Sequence, residues 1–313
     1  MTPSLIFFGS DQYSTIVLRQ LLTTNYQILY VITDQKFDPS PVEKLAKKRN
    51  LKVLYYPDIP HSLITKDTLG LCASFDHLIP AKLITSFTGR LYNLHPSLLP
   101  QYRNVSPVQY AIALGDKETG ITLFRISPGI DDGEIISQVS EPILPDDTTP
   151  TLTSRLFTLG AALFFEHLNT PGVKGTPHSG SVIPLGAPLI FTRRLTRDSG
   201  YLEWATLQKL LANQPISPSD TKNELLRLRL SRGSDLKGSA QPRPNNLRGR
   251  SDPINDLLRA LTPWPGVWST VPTRKGNLRI ALTSPRHGGV IPDILIAGKP
   301  KAISWTDFQQ YYL

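Results

Sequence analysis

The stretch "SLIFFGSDQYSTIVLRQLL", residues 4–22, decides how the rest of the chain is read. Its first part, residues 4–10, is a short apolar run with the length and composition of a buried strand. In the turn that follows, Ser10 and Asp11 are suited to cap a helix, and "TIVLRQLL" has helical spacing. "YQILYVIT" (26–33) repeats the strand signal and "SPVEKLAKKRN" the helical one, while "LKVLYY" (51–56) and "LGLCASF" (69–75) add two strands. Strands alternating with helices at this spacing predict βαβ units around a mostly parallel α/β sheet. The turn "FGSDQYS" lacks the spaced glycines of a dinucleotide fingerprint, which disfavours NAD.

Further along, "GITLFRIS" (120–127) and "EIISQVSEPI" (134–143) read as a hairpin across "PGIDDG", and residues 150–169 as a helix. Residues 170–200 are rich in glycine and proline and predict irregular chain. "DPINDLLRAL" (252–261) is a short helix stopped by "TPWPG"; "VWSTV", "LRIALT" and "GVIPDILIAG" then alternate as strands. The expected organisation is a first domain over 1–180, a linker with a basic insertion over 181–254, and a small C-terminal β domain over 255–313.

The 313 residues, 40% hydrophobic, suffice for two or three packed units. No apolar run is long enough to span a bilayer. The first residues carry no basic stretch followed by an apolar run, so a cytoplasmic chain without a signal peptide is expected. Cys72, the single cysteine, excludes an internal disulfide and a multi-thiolate metal site, and reads as a small buried hydrophobe. The histidines at 61, 77, 95, 167, 178 and 287 are scattered, with no helical ligand spacing. Net charge is +9, and residues 222–250 contribute six of that excess through Lys222, Arg227, Arg229, Arg232, Lys237, Arg243, Arg248 and Arg250 against Glu224 and Asp235. Such a segment suits a polyanion, because each neutralised phosphate releases counterions; a solvated surface loop is the bland reading.

The densest motif is "LYNLHPSLLPQYRNVSP" (91–107). Asn93 and His95 are two residues apart and share one side of a strand if it continues through them. Pro96, Pro100 and Pro107 stiffen the following loop. Thirty-six residues beyond His95, "SPGIDDGEI" offers Asp131 and Asp132 in a glycine-bracketed turn. A histidine beside a carboxylate makes a general acid/base pair with a fixed tautomer, and an amide nearby can stabilise an oxyanion. No serine sits in a nucleophile elbow, so direct attack of one substrate on the carbonyl of another suits these residues better than covalent catalysis. Spacing alone does not distinguish Asp131 from Asp132.

"YNLHPSLLPQYRNVSP" followed by "YAIALGDKETGITLFRISPGIDDGEII" closely resembles the formyltransferase family that uses 10-formyltetrahydrofolate. The resemblance implies a Rossmann-like formyltransferase fold, and it extends at lower density to the start of the chain. "SPVEKLAKK", "RRLTRDSGYLEW" and "LLRALTPWPGVWS" resemble most the branch that formylates methionyl-initiator tRNA, whose C-terminal β domain is OB-like. The resemblance places the catalytic residues at Asn93, His95 and Asp131. It places the folate along the loops near 75–80 and 124–134, with Phe75, Leu78, Ile79, Ser97, Leu98, Leu99, Ile126, Gly129 and Ile130 as contacts. Acceptor contacts would be Lys36, Arg103, Arg227, Arg229 and Arg232.

What the resemblance implies is a monomeric transferase with 10-formyltetrahydrofolate as co-substrate, methionyl-initiator tRNA as acceptor, and neither metal nor membrane. A sugar-nucleotide N-formyltransferase with the same donor is the alternative. Three departures stand out. Asn104 follows the motif arginine where the family usually has glycine; Phe75 and Asp76 replace a tyrosine–glycine pair; and the loop over 33–46 is short, with Lys36 the one basic residue between Thr33 and Pro41.

Overall fold

A computed structural model describes residues 4–35, 38–169, 189–232, 252–273, 276–283, 292–299 and 301–313. Lys36, the part of the basic segment over 233–250 and the chain over 181–188 lie outside the described residues.

Strands β1 (Ser4–Phe8), β2 (Gln27–Asp34), β3 (Val53–Tyr56), β4 (Leu69–Ala73), β5 (Leu91–His95), β6 (Glu118–Arg125) and β7 (Ile135–Pro142) form one sheet in the order β3-β2-β1-β4-β5-β6-β7. Pairing is parallel from β3 through β5 and antiparallel for β5–β6 and β6–β7. This is the α/β, mostly parallel sheet that the alternation predicts, closed by the predicted hairpin. The central strands read as continuous apolar runs because both faces are covered. Leu5, Ile6, Phe7 and Phe8 of β1 have no exposed surface, and each such side chain contributes roughly 1.5–3 kcal/mol relative to exposure.

Strand order reverses at β1, with β2 on one side and β4 on the other, so the turns after β1 and β4 flank the topological switch point where open α/β sheets bind ligands. Asp11 caps helix α1 (Gln12–Leu21), accepting hydrogen bonds from the Tyr13 and Ser14 amides, as the sequence suggests. The Ser74 hydroxyl donates to its other oxygen at 2.6 Å. Burial pushes the Asp11 carboxyl above the usual range, against the lowering effect of these hydrogen bonds. Helices α2 (Pro41–Lys48) and α3 (Ala81–Ser86) complete crossovers, and α5 (Thr149–Asn169) follows β7; α4 (Pro107–Ala113) lies between β5 and β6 in sequence.

The chain divides into two compact units. The first holds the seven-stranded sheet. The second comprises 108–117, 143–150 and 193–313, including helices α6 (Trp204–Leu211), α7 (Glu224–Ser231), α8 (Pro253–Leu261) and α9 (Trp305–Tyr312). It also contains strands β8 (Val267–Thr273), β9 (Gly276–Thr283) and β10 (Asp293–Ile296), an antiparallel sheet in the order β10-β9-β8. That sheet is the small C-terminal β unit expected, consistent with an OB-like subdomain. Among the described residues no helix is long and apolar enough to cross a membrane.

Within the stretch expected to link the domains, α6 and α7 are regular helices. Their leucines recur at helical spacing, so Leu207 and Leu210, and Leu225, Leu226 and Leu230, are buried. Arg229 shares the buried face of α7. Its guanidinium donates to the Ala113 carbonyl at 2.9 Å and to Asp256 at 2.7 Å, with both side chains almost fully buried. Asp256 also accepts from Arg259 on its own helix.

Removing one partner of a buried ion pair leaves the other uncompensated, so Arg229→Ala should lower unfolding free energy by about 3 kcal/mol. Arg227→Ala, at an exposed position of the same helix, should change it by less than about 0.5 kcal/mol. Urea unfolding of both variants checks this contrast, and equal effects would contradict a structural role for Arg229.

Candidate active site

Strand β5 sorts its side chains by the period of the pleat. Tyr92 and Leu94 are buried; the Tyr92 ring meets Phe164 and His167 of α5 edge-on, and Leu94 lies beside Gly160 of the same helix. Asn93 and His95 therefore project from the opposite face, with β6 residues Phe124 and Thr122 as their register partners. His95 is buried and Asn93 half-buried.

The His95 ring has a partner at each nitrogen. Nε2 lies 2.9 Å from the Tyr102 carbonyl oxygen, and Nδ1 lies 3.5 Å from Asp131 Oδ2. A carbonyl only accepts, so Nε2 carries hydrogen and donates it. In the neutral ring Nδ1 then holds a lone pair facing a carboxylate. When the ring gains a proton, Nδ1–H points at Asp131 and the contact becomes a charged pair.

Asp131 reaches this position through a tight loop. Its backbone is left-handed, at φ +46°, a conformation that aspartate adopts more readily than most residues. A side chain at Gly133 would collide with the Arg125 carbonyl oxygen, so glycine is needed where the loop rejoins the sheet. The structure separates the two aspartates that spacing leaves equivalent: Asp131 faces His95, and Asp132 accepts a hydrogen bond from the Ser127 hydroxyl.

The loop after β5 is held from several sides. Thr122 Oγ1 donates to the Ser97 carbonyl at 2.6 Å and accepts from the Leu99 amide at 3.1 Å. Gln138 Nε2 donates to the Leu99 carbonyl oxygen at 2.9 Å and to Thr122 Oγ1 at 2.8 Å. Tyr102, Asn104 and Ser106 all have left-handed backbones, and the Asn104 N–H donates to Asp131 Oδ2 at 2.7 Å. The left-handed conformation at Asn104, φ +82°, accounts for asparagine standing where the family usually has glycine. Sequence reasoning missed Thr122, Gln138 and Tyr102 as supports; the one available signal is that Thr122 falls opposite His95 in a hairpin register.

The expected folate contacts divide into three groups. Ser97, Leu98 and Leu99 are buried, the Ser97 hydroxyl being spent on the Gln101 carbonyl at 2.7 Å. Their side chains face inward beneath the loop, which leaves the backbone of 97–99 as the part of these residues a folate would meet. Phe75, Ile79 and Ile126 are half-buried against an apolar cluster that includes Phe8, Ile32, Leu83 and Phe87. Leu78, Gly129 and Ile130 are exposed. The 74–80 loop is tied down by a hydrogen bond from His77 to Asp34, by the stacking of His77 on Tyr56, and by the Tyr56 hydroxyl, which donates to Leu78 O at 2.7 Å.

Of the expected acceptor contacts, Arg103 is half-buried with its guanidinium 5.8 Å from the Phe191 ring centroid. Arg227 is exposed, Arg232 bonds Asp116 at 2.8 Å, and Lys36 falls outside the described residues. The expectation that Arg229 presents charge to a phosphate is corrected, because its guanidinium is buried and neutralised by Asp256. Cys72 is buried, and that burial pushes its thiol well above the usual range, leaving it unsuited to nucleophilic chemistry.

A family model described as Formyl transferase matches residues 21–168, which include Asn93, His95 and Asp131. The chain is similar to a methionyl-tRNA formyltransferase of Buchnera aphidicola, with 35% identity over 179 residues, covering 53% of this chain and 57% of that relative. It is similar to another from Limosilactobacillus fermentum, with 30% identity over 219 residues, covering 64% of this chain and 67% of that relative. The alignments thus span between somewhat over half and two thirds of these curated relatives. Among solved structures, WlaRD, a sugar 3N-formyl transferase, shares the fold with a TM-score of 0.55 at 18% identity, covering 95% of this chain and 94% of that one.

The two partners of the His95 ring make a prediction independent of substrate. Nitrogen-15 NMR of neutral His95 should show the Nε2–H form, its hydrogen held by the Tyr102 carbonyl. A predominant Nδ1–H form would contradict the arrangement.

Proposed function

We propose that this chain, which belongs to the formyl transferase family, moves a formyl group from 10-formyltetrahydrofolate to the free amino group of methionyl-initiator tRNA. The observation that carries the reading is the His95–Asp131 pair, with Asn93 on the same face of β5. The names of the relatives favour the tRNA acceptor.

In this reading the amine attacks the formyl carbon, forming a C–N bond and a tetrahedral centre whose oxygen takes up negative charge. The Asn93 amide stabilises that oxygen by hydrogen bonding and the protonated His95 ring by its positive charge, while Asp131 and the Tyr102 carbonyl orient the ring. The bond from carbon to N10 of the folate then breaks. One proton leaves the attacking amine and one is gained by N10, so the products are the formylated amine and tetrahydrofolate. His95 is buried and Asp131 half-buried, so their interaction is stronger than that of a fully solvated pair, because burial weakens screening. No enzyme nucleophile is required.

A second acceptor, an amino sugar nucleotide, is favoured by one feature of α7. Burial of Arg229 and pairing of Arg232 leave that helix less free positive charge for a polyanion than its sequence implies. A small acceptor needs no such surface.

The two readings separate in one assay. Purified protein with 10-formyltetrahydrofolate is offered methionyl-initiator tRNA, methionyl-elongator tRNA and amino-sugar nucleotides in parallel. The proposal predicts formylation of the initiator tRNA, with little or none of the other acceptors. A sugar product without a tRNA product would establish the second reading, and no transfer to any of them would overturn both.

A further inference from the structure

The loop that carries the partners of both His95 and Asp131 is itself clipped to a distant part of the chain. The Ile190 amide donates to the Gln101 side-chain oxygen at 3.1 Å. The Thr192 amide and hydroxyl both donate to the Arg103 carbonyl, at 2.9 and 2.7 Å. Asn104 closes the clip, its Nδ2 donating to the Thr192 carbonyl at 3.2 Å. Thr192 is almost fully buried and Arg103 and Asn104 half-buried, so these bonds are partly shielded from water.

Asn104 thus has two connections of different kinds. Its side chain faces the clip, and its backbone N–H faces Asp131 Oδ2, the same oxygen that lies 3.5 Å from His95 Nδ1. The left-handed backbone is what allows both at once, since it turns the N–H toward the aspartate while the side chain points to Thr192.

We propose that Asn104 is a positioning residue for the His95–Asp131 pair, its side chain anchoring to Thr192 the backbone N–H that holds the carboxylate. Glycine would supply the left-handed backbone and the N–H but not the anchor. Asparagine therefore does more at this position than satisfy φ. The proposal rests on the formyl-transfer reading for its kinetic consequence only; its effect on the His95 ring does not depend on which substrate is used.

The test uses the full chain carrying Asn104→Gly or Asn104→Ala, with two readouts. In Asn104→Gly, kcat should fall about fivefold, the worth of one ordinary hydrogen bond, while KM for donor and acceptor stays within about twofold. The ring nitrogen-15 resonances of His95, recorded without substrate, should move from their parent positions. Asn104→Ala, which adds a strained backbone to the lost anchor, should show larger changes of the same kind. If Asn104→Ala does not fold, Asn104→Gly decides alone. Parent-like kcat or parent-like His95 resonances in Asn104→Gly would overturn the proposal. If the parent transfers no formyl group to any acceptor, the functional reading fails separately, and the His95 resonances still decide the role of Asn104.

Discussion

Asp131 Oδ2 faces His95 Nδ1 at 3.5 Å while accepting the Asn104 N–H at 2.7 Å, and much of the surrounding structure bears on that one oxygen. A carboxylate on a glycine-bracketed loop has many positions open to it, and a histidine at a strand end has several rotamers. Two backbone groups two residues apart remove that freedom. The Tyr102 carbonyl orients the ring through Nε2, and the Asn104 amide orients the carboxylate. Since both come from one short segment, any displacement of the 102–104 loop moves the two halves of the pair together.

The sheet supplies what that segment needs. Strand β5 presents Asn93 and His95 on one face because Tyr92 and Leu94 occupy the other against α5. Strand β6 supplies Thr122 opposite His95, and β7 supplies Gln138; between them these two side chains hold the loop at Ser97 and Leu99. The antiparallel hairpin added to an otherwise parallel sheet is thus part of the site. It brings polar side chains beneath the motif loop, where the parallel strands β1 and β4 offer almost continuous apolar surface.

Much of this was legible from residue order. The alternation beginning at residues 4–22 gave the parallel sheet, Asp11 announced the cap of α1, and "ITLFRIS" with "EIISQVSEPI" gave the hairpin. Asn93 and His95 were readable because a strand has a two-residue period. The choice between Asp131 and Asp132 was not, since it depends on a left-handed backbone at Asp131 that adjacent identical residues do not reveal. The inward turn of the Ser97, Leu98 and Leu99 side chains was not readable either, since it depends on how the motif loop packs against β6 and β7. Arg229 was misread by counting charge. Its position four residues after Leu225 and three after Leu226 puts it on the apolar face of α7, where only a buried partner such as Asp256 makes a guanidinium tolerable.

In the proposed reading His95 stabilises the developing oxyanion, and the most direct test is single-turnover formyl transfer by His95→Ala with affinity for the acceptor measured alongside. Removing one group that stabilises an oxyanion costs roughly 10²–10³ in rate. A loss in that range is expected, with acceptor affinity essentially unchanged. Transfer at the parent rate would remove His95 from the chemistry and contradict the account.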